Sequence, residues 1–170
     1  MRRWVIAIAA LCVLAVVNTG IWQRERQLQS GKVVLLELVP VDPRSLMQGD
    51  FMRLSYRAIG DAFPDRVKSP PGEDGRIVVA VDEQGIGRFV RLDGGDDGAP
   101  LAAGEVPLRY RVRGSNIKFA TNAYFFEEGH GADFSAARYG EFRVAADGEM
   151  ILTGLRDRDL HALAQKPLPR

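Results

Sequence analysis

The first 22 residues contain the feature that most restricts how this chain can fold. From Trp4 to Trp22 the sequence is WVIAIAALCVLAVVNTGIW, and it includes no charged side chain. A helix of this length would extend about 28 Å, close to the roughly 30 Å of a bilayer's hydrocarbon core. Indole rings are favoured at both membrane interfaces. We therefore expect residues 4–22 to cross the lipid bilayer as a single transmembrane helix.

The charges on either side of this segment predict its orientation. Arg2 and Arg3 precede it together with the terminal amine, while Arg24, Glu25 and Arg26 follow it. The more positive flank of a membrane helix faces the cytoplasm. We expect the N-terminus in the cytoplasm and the rest of the chain on the other side of the membrane.

Three alternatives to a retained anchor are less consistent with the sequence. A cleaved signal peptide would have a shorter apolar stretch and a small-residue cleavage site, and NTGIWQRERQ offers none. A lipoprotein signal needs a small residue before the cysteine, but Leu11 precedes Cys12. A buried helix of a globular domain would rarely stay apolar on all sides over this length.

Composition excludes several classes of function. The chain has 23 Lys and Arg against 22 Asp and Glu, so its net charge of +1 gives no electrostatic reason to expect nucleic acid binding. Its single cysteine, Cys12, lies inside the apolar segment. The remaining residues therefore have neither a disulfide framework nor a cysteine metal site.

After residue 31 the pattern changes to short strands. Valine-rich or alternating segments predict strands at 32–41, 51–59, 76–82, 87–92, 106–113 and 116–126. Residues 83–86 predict a hairpin turn between two of these strands, and 141–155 predicts a second hairpin that turns at Asp147–Gly148. The fold class is mainly β. We expect a compact antiparallel domain of about eight strands, sandwich or barrel-like, behind one transmembrane helix.

The remaining segments predict loops and one or two short helices. Residues 63–75 and 93–104 are rich in Gly, Pro and Asp and should be exposed loops. A short helix capped by Asp133 is expected at 131–139, and another at 156–165. The predicted organisation is an anchor (1–23), a spacer (24–31), a β-rich domain (32–160) and a C-terminal tail (161–170).

The segment GDFMRLSY is the most specific motif of the chain. Gly49, Asp50, Phe51, Leu54 and Tyr56 resemble the signature of the GDYxxLxY family, with Phe51 in place of the usual tyrosine. The preceding VPVDPRSLMQ and the later GRFVRL, YFFEEGHGADFSAARYGEFRV and DGEMILTGL are also similar to that family. The resemblance covers nearly all of the chain beyond the anchor.

This resemblance implies an uncharacterised family of bacterial membrane-anchored proteins, with no activity to transfer. It places the protein in the bacterial inner membrane as a single-pass protein with its domain in the periplasm. Since Phe51 has no hydroxyl, the family's tyrosine at that position is not a required proton donor or nucleophile.

Local chemistry favours a structural role for the loop before this motif. Asp42 and Pro43 predict a turn that ends the first strand, and Arg44 continues the motif segment. Gly49 permits backbone conformations that other residues resist, and the Asp50 carboxylate could accept N–H groups of the loop. These residues, with Phe51, Leu54 and Tyr56, form the predicted structural or interaction site.

A catalytic alternative rests on a weak similarity of RSLMQGD to the serine loop of membrane-anchored signal peptidases. Ser45 would be the nucleophile, and Lys118 would have to be desolvated enough to act as its base. The methionine directly after the serine and the following proline are both missing. We assign no catalytic residue and regard an enzyme as the less favoured class.

A second alternative is a ligand or metal site at Glu127, Glu128 and His130. On a strand, Glu128 and His130 would share a face and could bind a divalent ion with a third ligand from elsewhere. A polar strand end entering a turn explains the same residues, so we predict no metal and no cofactor.

The sequence therefore favours an accessory or interaction module of an inner-membrane complex. Its expected partners are the bilayer, through residues 4–22, and a membrane protein. A small-ligand or metal-binding domain is the alternative, and a signal-peptidase-like hydrolase is a weaker one.

Overall fold

The computed structural model describes residues 2–39, 51–64, 73–93, 99–114 and 116–164, without the side chains of residues 2, 5 and 7. It contains one long helix, one short helix, a short 3₁₀ helix and ten strands within those ranges. The helices are α1 (Arg2–Ser30), α2 (Arg57–Ala62) and the 3₁₀ helix η1 (Gly131–Phe134). The strands are β1 (Lys32–Glu37), β2 (Phe51–Arg53), β3 (Gly75–Val81), β4 (Gly87–Leu92), β5 (Glu105–Arg113), β6 (Asn116–Lys118), β7 (Ala123–Phe125), β8 (Tyr139–Val144), β9 (Met150–Arg156) and β10 (Ala162–Leu163).

The strands form two four-stranded antiparallel sheets and a two-stranded ribbon. One sheet has the order β1-β8-β9-β10, the other has the order β4-β3-β5-β6, and β2 pairs with β7. A parallel bridge between Leu35 and Ile86 brings β1 next to β4. On another side, the N–H of Arg109 on β5 donates to the carbonyl of Gly148 in the β8–β9 turn. The prediction of a mainly β, antiparallel fold is confirmed.

Several strands follow directly from their sequence pattern. Val34, Leu35 and Leu36 are all buried, as expected for a strand covered on both faces. β3 and β4 form the predicted hairpin around residues 83–86, and β8 and β9 form the predicted hairpin around Asp147–Gly148. Gly148 has φ +87°, a conformation that favours glycine at this turn.

The alternating segment 51–59 is only partly a strand. β2 ends at Arg53, and residues 57–62 form α2, so the strand predicted through residue 59 is wrong over its last part. Ala58 and Ile59 are both buried, and the N–H of Ile59 donates to the carbonyl of Tyr56. Burial of two consecutive residues is incompatible with one buried face of a strand and suits one turn of helix instead.

Three other predictions need correction. The strand predicted at 116–126 divides into β6 and β7, because the chain bends between Phe119, which is buried, and Asn122. The helix predicted at 131–139 is only η1, which follows His130 and has no side-chain cap from Asp133. The helix predicted at 156–165 is absent from the described part of that segment, where Asp157 closes a turn that leads into β10.

α1 continues beyond the predicted anchor. It runs through the charged residues Arg24, Glu25 and Arg26, so the predicted spacer 24–31 is helical up to Ser30. Within the part of the chain that the structure describes, no helix combines the length and the apolarity needed to cross a membrane.

The C-terminal end of α1 is attached to the β-domain. Nε2 of Gln27 donates to the carbonyl oxygens of Arg143 (3.1 Å) and Glu149 (2.8 Å). The N–H of Gly31 donates to the Gln27 carbonyl, and Nη1 of Arg143 donates to the Gly31 carbonyl. A Cβ at Gly31 would overlap the Gln27 carbonyl oxygen, which explains a glycine between the helix and β1.

Candidate functional site

The part of the motif that the structure describes has two different faces. From Phe51 to Tyr56, every second side chain is buried: Met52, Leu54 and Tyr56. Phe51 and Ser55 are partly exposed, and Arg53 is exposed. Asp42, Pro43, Arg44, Gly49 and Asp50 lie outside the described residues, so their predicted roles remain predictions.

Tyr56 is held at the centre of the core. Its ring lies edge-on to Phe142, with ring centroids 5.5 Å apart, and tilted against Phe119 at 5.7 Å. Its hydroxyl donates a hydrogen bond to the carbonyl of Thr121. Burial raises the pKa of the Tyr56 phenol far above its usual value, so the group stays neutral in the folded protein. Tyr56 therefore acts as a packed and hydrogen-bonded core residue.

The same motif fixes the segment that follows β6. The N–H of Leu54 donates to the carbonyl of Asn122 at 2.8 Å, and the Tyr56 hydroxyl binds Thr121 one residue earlier. Thr121 also exchanges hydrogen bonds with the backbone of Ala123. Residues 121–123 are thus held by the buried face of the motif.

The exposed face of the motif and this segment enclose a cleft of about 1040 Å³, which we call the basic groove. All of its lining residues belong to residues 51–55 and 116–123. Arg53 and Lys118 supply two positive charges, and neither sequence segment contains an acidic residue. Among the described residues, neither Arg53 nor Lys118 forms an ion pair. As far as the described residues are concerned, the groove therefore presents positive charge without a carboxylate partner, beside neutral polar groups.

The apolar and polar parts of the groove are separated. Leu54 and Ile117 are buried, whereas Ser55, Asn116 and Thr121 contribute hydroxyl or amide groups. The side-chain oxygen of Asn122 is buried and accepts no hydrogen bond from any described residue. A molecule that entered the groove could contact apolar, amide, hydroxyl and cationic groups together.

Two smaller cavities are less suited to binding. One of about 120 Å³ lies beside Glu37 and Arg57, which pair through two contacts of 2.8 and 2.9 Å. The other, of about 10 Å³, lies between Phe119 and the group formed by Glu149, Arg109 and Arg111, in which the carboxylate pairs with both arginines. In both places these charged groups are paired with each other.

The structure brings together two of the three residues of the predicted ligand or metal site, Glu127 and His130, but does not place them on a strand. β7 ends at Phe125, so Glu127, Glu128 and His130 follow the strand instead of sharing one of its faces. His130 is buried, with Nδ1 2.8 Å from the Asp133 carboxylate and Nε2 4.0 Å from that of Glu127. Glu128 is exposed. His130 thus pairs with Asp133, a residue that the sequence had assigned to a helix cap.

Another group of possible metal ligands occurs where the sequence had suggested a helix. Ligand atoms of Asp157, Asp159 and His161 lie within 4.8 Å of one another. One carboxylate oxygen of Asp157 already accepts the N–H groups of Asp159 and His161, which closes the turn before β10. The local backbone therefore accounts for this arrangement.

The proposed Ser–Lys pair cannot be compared in space, because Ser45 lies outside the described residues. Lys118 is exposed on β6. A lysine in contact with water lacks the desolvation that would make it an effective base at neutral pH.

Comparison with known proteins identifies one relationship. A family model described as GDYXXLXY protein matches residues 13–155, which includes most of α1 and the strands up to β9. No curated protein and no solved structure matches the chain.

Proposed function

The chain belongs to the GDYXXLXY protein family, and from this premise we propose that it is a membrane-tethered interaction module whose docking site is the basic groove. The observation that carries this proposal is the groove itself, a cleft of about 1040 Å³ lined by Arg53 and Lys118 and by no described acidic residue. Of the motif residues, Phe51 and Leu54 line it, and Leu54 and Tyr56 hold the opposite segment through hydrogen bonds. The partner would be another protein of an inner-membrane complex.

The proposed tether is α1, with the β-domain outside the cytoplasm. Residues 4–22 contain no charge, and their large apolar side chains are exposed along the helix, including Trp4, Leu11 and Trp22. A soluble monomer rarely exposes so much apolar surface to water, so this surface is expected to contact a membrane or another protein. A lipid bilayer supplies such cover for a helix with tryptophan at both ends and arginine beyond them.

The single cysteine provides a direct test of the tether. Cys12 lies near the middle of residues 4–22 and is exposed on the isolated helix. If lipid covers it, a water-soluble maleimide should not label Cys12 in intact or lysed cells, but should label it after denaturation. Thiols react as thiolates, which requires access to water.

A matched control reports the side of the membrane on which the domain lies. Asp159→Cys in a Cys12→Ser chain places the cysteine in the exposed turn before β10. Labelling of this variant in intact spheroplasts is expected. Rapid labelling of Cys12 in untreated membranes, or labelling of Asp159→Cys only after lysis, contradicts the proposed tether or its orientation.

Site-specific photocrosslinking tests the docking site. A photoreactive amino acid at Asn116 lies in the groove, and one at Asp159 lies on an exposed turn outside it. In native membranes we expect a discrete adduct from position 116 and none from position 159. Equal adducts from both positions, or none from either, would remove the basis for a docking role.

A further inference from the structure

We propose that the basic groove receives an extended acidic polypeptide segment, which adds to the open edge of β6 as a further strand. This inference rests on the proposed docking function and specifies the kind of partner segment. Three independent features of the groove, each judged among the described residues, carry it: a strand edge without a neighbouring strand, cations without a carboxylate partner, and a lining of polar groups that can accept hydrogen bonds.

The first feature is the edge of the sheet. In the order β4-β3-β5-β6, β6 is terminal, and among the strands of the described residues it pairs with β5 alone. The N–H of Val112 on β5 donates to Asp74, at the start of β3, so Val112 directs its backbone away from β6. Since backbone direction alternates along a strand, Arg111 and Arg113 face β6 and meet Lys118 and Asn116.

This alternation decides where the backbone of Ile117 points. Because its two neighbours pair with β5, the N–H and C=O of Ile117 are directed to the open side of the sheet. Ile117 is also a lining residue of the groove. An extended peptide placed there can exchange hydrogen bonds with this residue, as peptides do when they add to a sheet edge.

The second feature is charge. Lys118 lies on the edge strand itself and Arg53 lies on β2, so the two strands that border the groove each present one cation. The described lining residues include no carboxylate to neutralise them. Aspartate or glutamate side chains on the incoming strand would complement both, which favours an acidic segment over a neutral or basic one.

The third feature distinguishes a peptide from a simple anion. The buried side-chain oxygen of Asn122 accepts no hydrogen bond from the described residues, and an unsatisfied buried acceptor is unfavourable. An ionised phosphate or carboxylate offers only acceptors. A polypeptide offers backbone N–H donors along with its acidic side chains, and therefore matches the hydroxyl, amide and backbone acceptors of the lining residues as well as the two cations.

The binding test uses the full-length protein in detergent micelles. The probe is a dye-labelled hexapeptide in which glutamate alternates with valine, compared with its glutamine and lysine counterparts by fluorescence anisotropy. We expect the glutamate peptide to bind most tightly. Arg53→Glu and Lys118→Glu should each weaken its binding by about fivefold, because each change replaces one exposed ion pair by repulsion.

Arg88→Glu is the matched control. Arg88 is an exposed arginine on β4 outside the basic groove, so reversing its charge alters net charge equally. Its effect should stay below about twofold, since surface charges away from the groove are largely screened. Circular dichroism of all three variants verifies that the fold is unchanged.

Each other result overturns the proposal in a recognisable way. Equal binding of the glutamine peptide removes the acidic character. Binding of phosphatidylglycerol vesicles but not of the peptide, with the same loss in Arg53→Glu and Lys118→Glu, assigns the cations to a lipid surface. No binding of any probe, with Lys118→Glu altering only aggregation, means that Lys118 protects the strand edge from unwanted pairing.

The two proposals fail separately. A crosslinked adduct at position 116 without binding of the acidic peptide leaves the docking function intact and contradicts the acidic strand. Binding of the acidic peptide without an adduct in native membranes supports the chemistry of the groove and contradicts the docking function.

Discussion

The two faces of residues 51–56 differ in burial, in charge and in the groups that they contact. Met52, Leu54 and Tyr56 enter the core, where Tyr56 is 1% exposed and fully hydrogen-bonded. The intervening residues Phe51, Arg53 and Ser55 line the basic groove. Side chains that alternate across an extended backbone thus place core packing on one face and most of the proposed binding surface on the other, while Leu54 contributes to both. Substitutions on the two faces should have effects of different kinds.

The largest effect is expected from Tyr56→Ala. Removing a buried aromatic ring that packs against Phe119 and Phe142 should destabilise the domain by about 3–5 kcal/mol. Denaturant unfolding of the full-length protein, followed by circular dichroism, measures this change. Ser55→Ala, one residue earlier on the other face, is the control. A loss below about 1 kcal/mol for Tyr56→Ala would contradict the division between the two faces.

Asp50→Ala should have an intermediate effect, on grounds of sequence alone. If the Asp50 carboxylate holds the N–H groups of its loop, its loss should cost about 1–3 kcal/mol. Thermal unfolding measures the change, and Gln48→Ala provides a control in the same loop. An unchanged melting temperature would count against a structural role for Asp50 and favour a role in binding or catalysis.

Tyr56→Phe tests the hydroxyl separately from the ring. Loss of the hydrogen bond to Thr121 should cost about 1 kcal/mol at neutral pH. The ring contacts remain, so the effect should be much smaller than that of Tyr56→Ala. Unfolding in denaturant at pH 7 compares the two variants. Equal losses in both would mean that the hydroxyl, and not the packing, holds Tyr56 in place.

The same substitution should change the response to alkaline pH. Burial raises the folded-state pKa of Tyr56, while an unfolded tyrosine ionises near its ordinary value of about 10. The stabilisation from the neutral phenol is therefore complete below that pH and is lost as pH rises above it. Unfolding measured from pH 9 to 12 should show a slope up to about 1.4 kcal/mol per pH unit steeper in the native sequence than in Tyr56→Phe. Parallel slopes would contradict burial of this hydroxyl.

The smallest effect on stability is expected from Arg53→Ala. Its side chain is exposed and forms no ion pair with a described residue, so the free energy of unfolding should change by less than about 0.5 kcal/mol. Thermal unfolding beside Leu54→Ala, for which about 2–5 kcal/mol is expected, makes the comparison directly. Similar losses in both variants would mean that the exposed face also supports the fold.

Sequence patterns predicted the regular parts of the fold well. Hairpins β3–β4 and β8–β9 were evident from alternating strands around short turns, because their partners are adjacent in sequence. The family resemblance was also evident from Gly49, Asp50, Phe51, Leu54 and Tyr56, and is confirmed by the match over residues 13–155. Both local periodicity and a contiguous motif can be recognised within a single segment of the sequence, without knowledge of its distant contacts.

The errors arose where a tertiary contact decides the local structure. Alternation continued into Arg57 and Ala58, but burial of both Ala58 and Ile59 produces a helix there. In RDRDLH, the pattern of a short helix was overridden by the two N–H groups that Asp157 accepts. In each case the local structure is determined by packing or by a specific hydrogen bond, and neither is visible in the periodicity of the sequence.

The basic groove could not be predicted for a different reason. Residues 51–55 and 116–123 contain two cations and no acid, but they are more than 60 residues apart in sequence. The pairing of β2 with β7, together with the bonds from Leu54 to Asn122 and from Tyr56 to Thr121, brings the two segments together. The available signal was the absence of acidic residues in both segments, which becomes meaningful only after their proximity is known.

The attachment of Gln27 to the β-domain has a mechanical consequence. Gly31 alone separates the end of α1 from β1, and Gln27 binds the carbonyls of Arg143 and Glu149. These two hydrogen bonds and the single intervening residue oppose independent rotation of α1 and the β-domain. If α1 rotated about its axis, the basic groove would therefore rotate with it. A partner fixed alongside α1 would therefore meet the groove at one height and from one direction.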